Sequence, residues 1–240
     1  MPGSLLTVGV LGGMGPAATA DFLSKVTAVT DADGDQGHIH MIIDSDPSVP
    51  DRTAHLLEGG PDPRPRLAEM ALRLERAGAD LLVIACNTAH AYLSELAPTV
   101  AIPIVDWPGV VAGAVACAAS RRPGVLASTG TIAAGIYQHA LGSFSLRAIE
   151  PPEAFQHQLM EAIYGDQGVK RIGASSSSAR ERLLAAARAT VATGADCVVL
   201  ACTEFSAVHT VAPLDIGVPV FDGAEVVARH VVTLVGGTVR

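Results

Sequence analysis

Gly78-Ala79-Asp80-Leu81-Leu82-Val83-Ile84-Ala85-Cys86-Asn87-Thr88 and Gly194-Ala195-Asp196-Cys197-Val198-Val199-Leu200-Ala201-Cys202-Thr203-Glu204 are one motif written twice. Each copy opens on Gly-Ala-Asp, crosses an apolar run of strand length and closes on Ala-Cys followed by polar residues. The correspondence continues downstream, where Pro103 to Asp106 faces Pro219 to Asp222 and Val110-Val111-Ala112 faces Val226-Val227-Ala228. Upstream, Gly9 to Pro16 faces Gly124 to Thr131 with a shift of one residue. Two similar halves follow, and with them two thiols at equivalent strand ends.

Short apolar runs bounded by Gly, Pro or Asp alternate with longer stretches of helical period, the pattern of parallel βαβ units. The fold class is therefore α/β, with two pseudo-symmetric, Rossmann-like or flavodoxin-like halves, each on a parallel sheet, and the active site in the cleft between them. Strands are expected at Leu5 to Leu11, His38 to Ile43, Leu81 to Ala85, Ile102 to Val105, Val125 to Ala127, Leu146 to Ile149, Val198 to Ala201 and Val218 to Phe221. Helices are expected at Ala17 to Thr30, Arg64 to Ala77, Ala89 to Leu96, Pro108 to Ala119, Ile132 to Leu141, Phe155 to Tyr164, Ala179 to Thr193 and Ala224 to Leu234. Arg121-Arg122-Pro123-Gly124 reads as the hinge. That divides the chain into residues 1–120 and 121–221, with a last helix in 222–240 returning to the first half. Asp44 to Pro65, rich in proline, and Ile172 to Ser178, with its four serines, read as loops.

Composition narrows the function. A net charge of -8 argues against nucleic acid or an anionic membrane as partner, since both are bound through Lys/Arg patches. No apolar run approaches the roughly 18 residues of a membrane span, and the first residues lack the basic region of a signal peptide. Four cysteines without the dense spacing of a stapled scaffold point to reduced thiols and a cytoplasmic setting.

Ligands of open α/β sheets bind beyond the carboxyl ends of the strands, where Cys86 and Cys202 stand at the start of helices. A thiol there has its pKa lowered. An isolated cysteine is usually a small buried hydrophobe, and Cys117 and Cys197 are read that way. Duplication at one strand end sets Cys86 and Cys202 apart as the catalytic pair. Around them Asn87, Thr88, Thr203 and Glu204 are candidate substrate contacts. Met14 joins them from the Gly12-Gly13-Met14-Gly15-Pro16 turn, which lacks the spacing of a dinucleotide or phosphate loop. Ser128, Thr129 and Thr131 offer hydroxyls and amides for a carboxylate. Arg52 and Lys170 are the scarce positive charges, and a guanidinium fork is the best neutraliser of the carboxylate beside an α-proton. His38 and His40 lack a third ligand, so they are read as structural and no metal is expected.

Gly-Gly-Met-Gly-Pro at 12–16, Pro50-Asp51-Arg52-Thr53, Ala85-Cys86-Asn87-Thr88-Ala89-His90, Gly130-Thr131-Ile132 with Tyr137, and Ala201-Cys202-Thr203-Glu204 together resemble the aspartate/glutamate racemase family. His90 and Glu204 are similar to its aspartate racemase branch, where cell-wall glutamate racemases usually carry Ser and His. The resemblance implies racemisation without pyridoxal phosphate or any other cofactor: one cysteine removes the α-proton as thiolate, and the other, as thiol, protonates the opposite face. It further implies a small acidic amino-acid substrate, carboxylate contacts from Arg52 and Lys170, and a homodimer. Asp46 stands where the family often has Asn, and Ser128 where Thr is common. Two other readings stay open at this point: a maleate isomerase-like enzyme of the same superfamily, whose cysteine adds to a double bond, and a non-catalytic two-lobed amino-acid-binding protein.

Overall fold

A computed structural model describes residues 5–118 and 120–240. The first half runs β1 (Val8–Gly12), α1 (Pro16–Val29), β2 (Met41–Ser45), α2 (Arg52–Glu58), α3 (Arg64–Arg76), β3 (Leu81–Ile84), a 3-10 turn at Thr88–Tyr92, α4 (Leu93–Leu96) and α5 (Trp107–Cys117). The second runs β4 (Pro123–Leu126), α6 (Thr129–Ala133), α7 (Ile136–Gly142), α8 (Glu153–Tyr164), α9 (Val169–Ile172), α10 (Ser177–Ala192), β5 (Cys197–Leu200), α11 (Thr203–Val211), β6 (Val220–Asp222) and α12 (Gly223–Leu234). Two parallel three-stranded sheets result, ordered β2-β1-β3 and β4-β5-β6.

The repeat is visible in the pairing itself. Gly9 lies opposite Leu82 as Gly124 lies opposite Val198, and Leu82 bridges Ile104 as Val198 pairs with Val220. In both copies of Gly-Ala-Asp the glycine turns the chain at positive φ, +96° at Gly78 and +102° at Gly194. The aspartate then caps the start of the neighbouring strand: Asp80 accepts from the Thr7 amide, and Asp196 accepts from the Arg121 and Arg122 amides. Asp106 and Asp222 are likewise equivalent N-caps, of α5 and α12. Most of the duplicated polar residues thus serve backbone geometry. The cysteines are the exception.

Some expected elements differ. Ile102 to Val105 and Leu146 to Ile149 form single parallel bridges, through Ile104 and Ile149, in place of strands. Pro103 lacks a ladder donor in the first, and Pro151-Pro152 ends the second. The helix expected over Ile132 to Leu141 splits into α6 and α7 at Gly135, which sits at φ +66°. Within the Pro-rich segment, Asp51 caps an additional helix, α2, by accepting from the Ala54 amide. Cys117 is exposed, not core, because α5 turns its last residues outward. Arg121 and Arg122 are tied to Asp196 and lead directly into β4, so they form no free linker. The expected helix end at Ala119 and residues 1–4 of the first half lie outside the described residues.

Among the described residues three apolar cores hold the layers. The outer face of each sheet packs under its own helices, α3 on the first and α8 with α10 on the second. The inner faces share a central core, where Val10 and Val83 of one sheet meet Val125 and Val199 of the other through Trp107, Tyr137 and Val231. Helix α12 packs against α1 and α5. A buried ion network reinforces that junction: Lys25 of α1 pairs with Asp21 and, at 3.0 Å, with Asp222. No helix among the described residues is long and apolar enough to cross a membrane.

Candidate active site

Both cysteines end buried strands and face one cavity. Cys86 is 5% exposed and Cys202 8%, and they share one narrow pocket with Met14, Arg52, Asn87, Thr88, Ile163, Tyr164, Lys170, Thr203 and Glu204. Ser128 lines it as well. The equivalent strand ends supply the sulfurs, while the helices that follow supply their polar neighbours.

The two thiols have opposite electrostatic surroundings. Cys202 donates to Glu204 Oε2 at 3.1 Å. Burial, and then the Glu204 carboxylate, push the Cys202 thiol well above the usual thiol range, so at neutral pH this sulfur keeps its proton. Cys86 faces a cation. Arg52 is buried, which by itself disfavours its charge, yet Cys86 and Asp51 beside it raise its pKa and hold it protonated.

Arg52 does not present the fork expected of it. Nη1 donates to the carbonyls of Val49 and Pro50, and Nη2 donates to that of Met14 at 2.9 Å. The proline-rich approach to α2 leaves these carbonyls without amide partners, and the guanidinium supplies them. Its Nε is buried and unpartnered. Carbonyls cancel no charge, so the cation remains.

Other unpartnered atoms line the same space. Asn87 accepts from the Tyr137 hydroxyl at 2.6 Å through Oδ1, which leaves its buried Nδ2 without an acceptor. Glu204 Oε1 is buried without a donor and stands 4.0 Å from Lys170 Nζ. A Cβ on Gly15 would lie 3.2 Å from that oxygen, so bare backbone leaves it room. Buried polar groups are nearly always paired, and here an unpaired cationic N–H, an amide N–H and a carboxylate oxygen share one pocket. That set complements an amino-acid zwitterion.

Lys170, on α9, lies 4.0 Å from Asp51 Oδ2 and 4.5 Å from the centroid of the Tyr164 ring. Tyr164 donates to Asp51 Oδ2 at 2.9 Å. Across the junction of the halves, Thr88 bonds Ser128 Oγ at 3.0 Å and Thr131 Oγ1 at 2.8 Å. Ser128 also caps α6. Thr129 is not brought into the pocket, since its amide and hydroxyl turn to Met160 Sδ. Asp46 also faces away, paired with Arg66 at 2.6 Å, and hydrogen bonds from Ser48 together with Arg66 hold its carboxyl below the usual range. His90 is buried, with Nδ1 donating to the Cys86 carbonyl at 2.9 Å, and burial lowers its pKa. It therefore supports the cysteine turn as a neutral ring.

Sequence reading passed over Asp51, Ile163 and Tyr164 as wall residues. Asp51 carries a signal, the helix cap it makes, although its proline-rich surroundings resemble a loop. Tyr164, the last residue of α8, carries no local signature, and only the packing of α8 against α9 brings it to the cavity.

The family model for Asp/Glu/Hydantoin racemases matches residues 11–231. The chain belongs to this family. It is 26% identical over 234 residues to the broad specificity amino-acid racemase RacX of Bacillus subtilis (strain 168), covering 94% of this chain and 96% of that protein. A glutamate racemase of Stutzerimonas stutzeri (strain A1501) is 30% identical over 189 residues, 74% of this chain and 67% of its own length. Among solved structures, Picrophilus torridus aspartate racemase superimposes with a TM-score of 0.84 at 26% identity, covering 98% of this chain and 96% of that one. The chain is thus an isomerase of the racemase type, and its two-sheet α/β fold is the one these racemases share.

Proposed function

We propose that this protein interconverts the L- and D-forms of an acidic amino acid, aspartate or glutamate, without a cofactor, through Cys86 and Cys202. The observation that carries the reading is the meeting of two buried thiols, from equivalent ends of two sheets, in one cavity. In this reading the lobes, 1–120 and 121–221 with 222–240 returning to the first, each deliver one sulfur.

The electrostatics divide the work. In one direction Cys86, as thiolate, takes the α-proton while Cys202 gives its proton to the opposite face of the carbon. The roles then exchange for the reverse direction. Glu204 holds the Cys202 proton and its free oxygen receives the substrate ammonium. Arg52 stabilises the negative charge that develops on the substrate as the proton leaves, and in a buried site that attraction is stronger than in water. Lys170, not hydrogen-bonded to a carboxylate, meets the side-chain carboxylate. The hydroxyls of Thr88, Ser128 and Thr131 fix the turns on which the sulfurs sit. The protein works as a homodimer in the cytoplasm, where its four unpaired cysteines stay reduced.

Incubation with L-aspartate and L-glutamate in deuterated water tests the reading. Deuterium should enter the α-position as optical rotation decays. Retention of the α-proton with both substrates would exclude racemisation of either, whatever their affinity.

A further inference from the structure

The catalytic pocket opens on one side into a second, larger space. Met14, Arg52, Lys170 and Glu204 wall both the inner pocket and an outer chamber of about 310 Å³ that reaches solvent. The ionic residues of the chamber, with Asp51, sit at this junction. Beyond them its walls are Pro16, Ala17, Ala18, Pro47, Val49 and Val169, none with a side chain that makes hydrogen bonds.

Charge at the junction is already balanced. Arg52 and Lys170 are opposed by Asp51 and Glu204, and Lys170 stands 4.0 Å from a carboxylate oxygen of each. The working form adds one thiolate. An α-carboxylate and an α-ammonium match the junction pair for pair, whereas a further side-chain carboxylate finds only a lysine whose field two carboxylates share. An uncharged side chain meets no such competition, and the chamber offers it apolar walls whose coverage removes hydrocarbon from water.

We propose that the outer chamber is a side-chain subsite through which the enzyme also racemises neutral amino acids with long, unbranched apolar side chains. This rests on the two-thiol reading of the inner pocket. The step needs no co-reactant: the α-proton passes to one sulfur, the C–H electron pair stays on carbon, and the other sulfur's proton forms the new C–H bond.

The test compares L-aspartate, L-methionine and L-norleucine in deuterated water, following α-deuteration by NMR and enantiomer composition by chiral chromatography. Methionine and norleucine should be deuterated and racemised by the wild-type protein. Ala17→Phe, at an exposed position in the first turn of α1, narrows the chamber and should lower the methionine-to-aspartate ratio of kcat/KM by about tenfold or more, the scale on which hydrophobic pockets discriminate. Exchange with aspartate alone, or an unchanged ratio in Ala17→Phe, would make the chamber a mere vestibule and overturn the proposal. Absence of exchange with all three substrates and with L-glutamate, run beside them, would instead remove the two-thiol reading, and this proposal with it.

Discussion

Replacing Cys202 by alanine separates the two halves of the reaction. The side chain is buried, packs in the core beside Phe205 and Val208, and donates to Glu204 Oε2 at 3.1 Å. Losing one sulfur from such a site costs about 1–2 kcal/mol of stability, a common size for a core substitution, and Glu204 keeps the Thr203 hydroxyl at 3.3 Å. The fold should therefore persist. Racemisation should not, because one of the two proton carriers is gone; a positioned acid or base contributes about 10²–10⁴-fold, which is about 2.7–5.4 kcal/mol of barrier. Cys86 remains, with Arg52 beside it, and can still take a proton from the face it addresses. The variant in deuterated water should thus exchange the α-proton of one enantiomer without inverting it, and leave the other enantiomer nearly untouched. Cys86→Ala should show the mirror-image preference. Proton NMR with each pure enantiomer, read beside polarimetry, measures both quantities. Racemisation within tenfold of wild type, or equal exchange of both enantiomers in Cys202→Ala, would refute the assignment of one sulfur to each face.

Glu204→Gln removes the anion that, after burial, raises the Cys202 pKa. A raised pKa keeps the thiol protonated to higher pH, so its loss should move the alkaline limb of the kcat/KM profile to lower pH; an unmoved limb would detach Glu204 from the Cys202 proton. Lys25→Met leaves the partly or fully buried carboxylates of Asp21 and Asp222 without their cation and should cost about 3–5 kcal/mol in urea denaturation, the usual result of breaking a buried pair. A loss under 1 kcal/mol would show that the network does not hold α1 to α12. Gly78→Ala and Gly194→Ala each force a Cβ into positive φ and should each cost about 1–2 kcal/mol. Gly194→Ala must also displace the exposed Arg122 side chain, which a Cβ there would meet, whereas a Cβ on Gly78 meets nothing, so a thermal melt showing no loss for Gly78→Ala would count against a turn that depends on positive φ.

Sequence by itself determined the duplication and much of what it does. Gly-Ala-Asp before an apolar run, repeated at a fixed register, needs only local rules: a turn at positive φ, a strand, a cap. Those rules also placed Cys86 and Cys202 at strand ends, because periodicity and breaker residues are properties of neighbours along the chain. Where two local signals compete, periodicity and proline content mislead. Pro103 reduced an expected strand to a bridge, and the Asp51 cap turned part of an expected loop into α2.

Tertiary structure alone decided what each group faces. That Arg52 spends its terminal nitrogens on the carbonyls of Met14, Val49 and Pro50 depends on how the first turn meets the proline-rich segment. That Thr129 turns to Met160, or that Tyr164 reaches Asp51 across 113 positions of sequence, depends on how α8 packs. The difference between the sulfurs is of the same kind. Equivalent residues in repeated motifs acquire different neighbours: Cys202 is buried against the Glu204 carboxylate, which raises its pKa, while Cys86 sits beside the Arg52 guanidinium, and electrostatic energy follows distance in space, not separation along the chain.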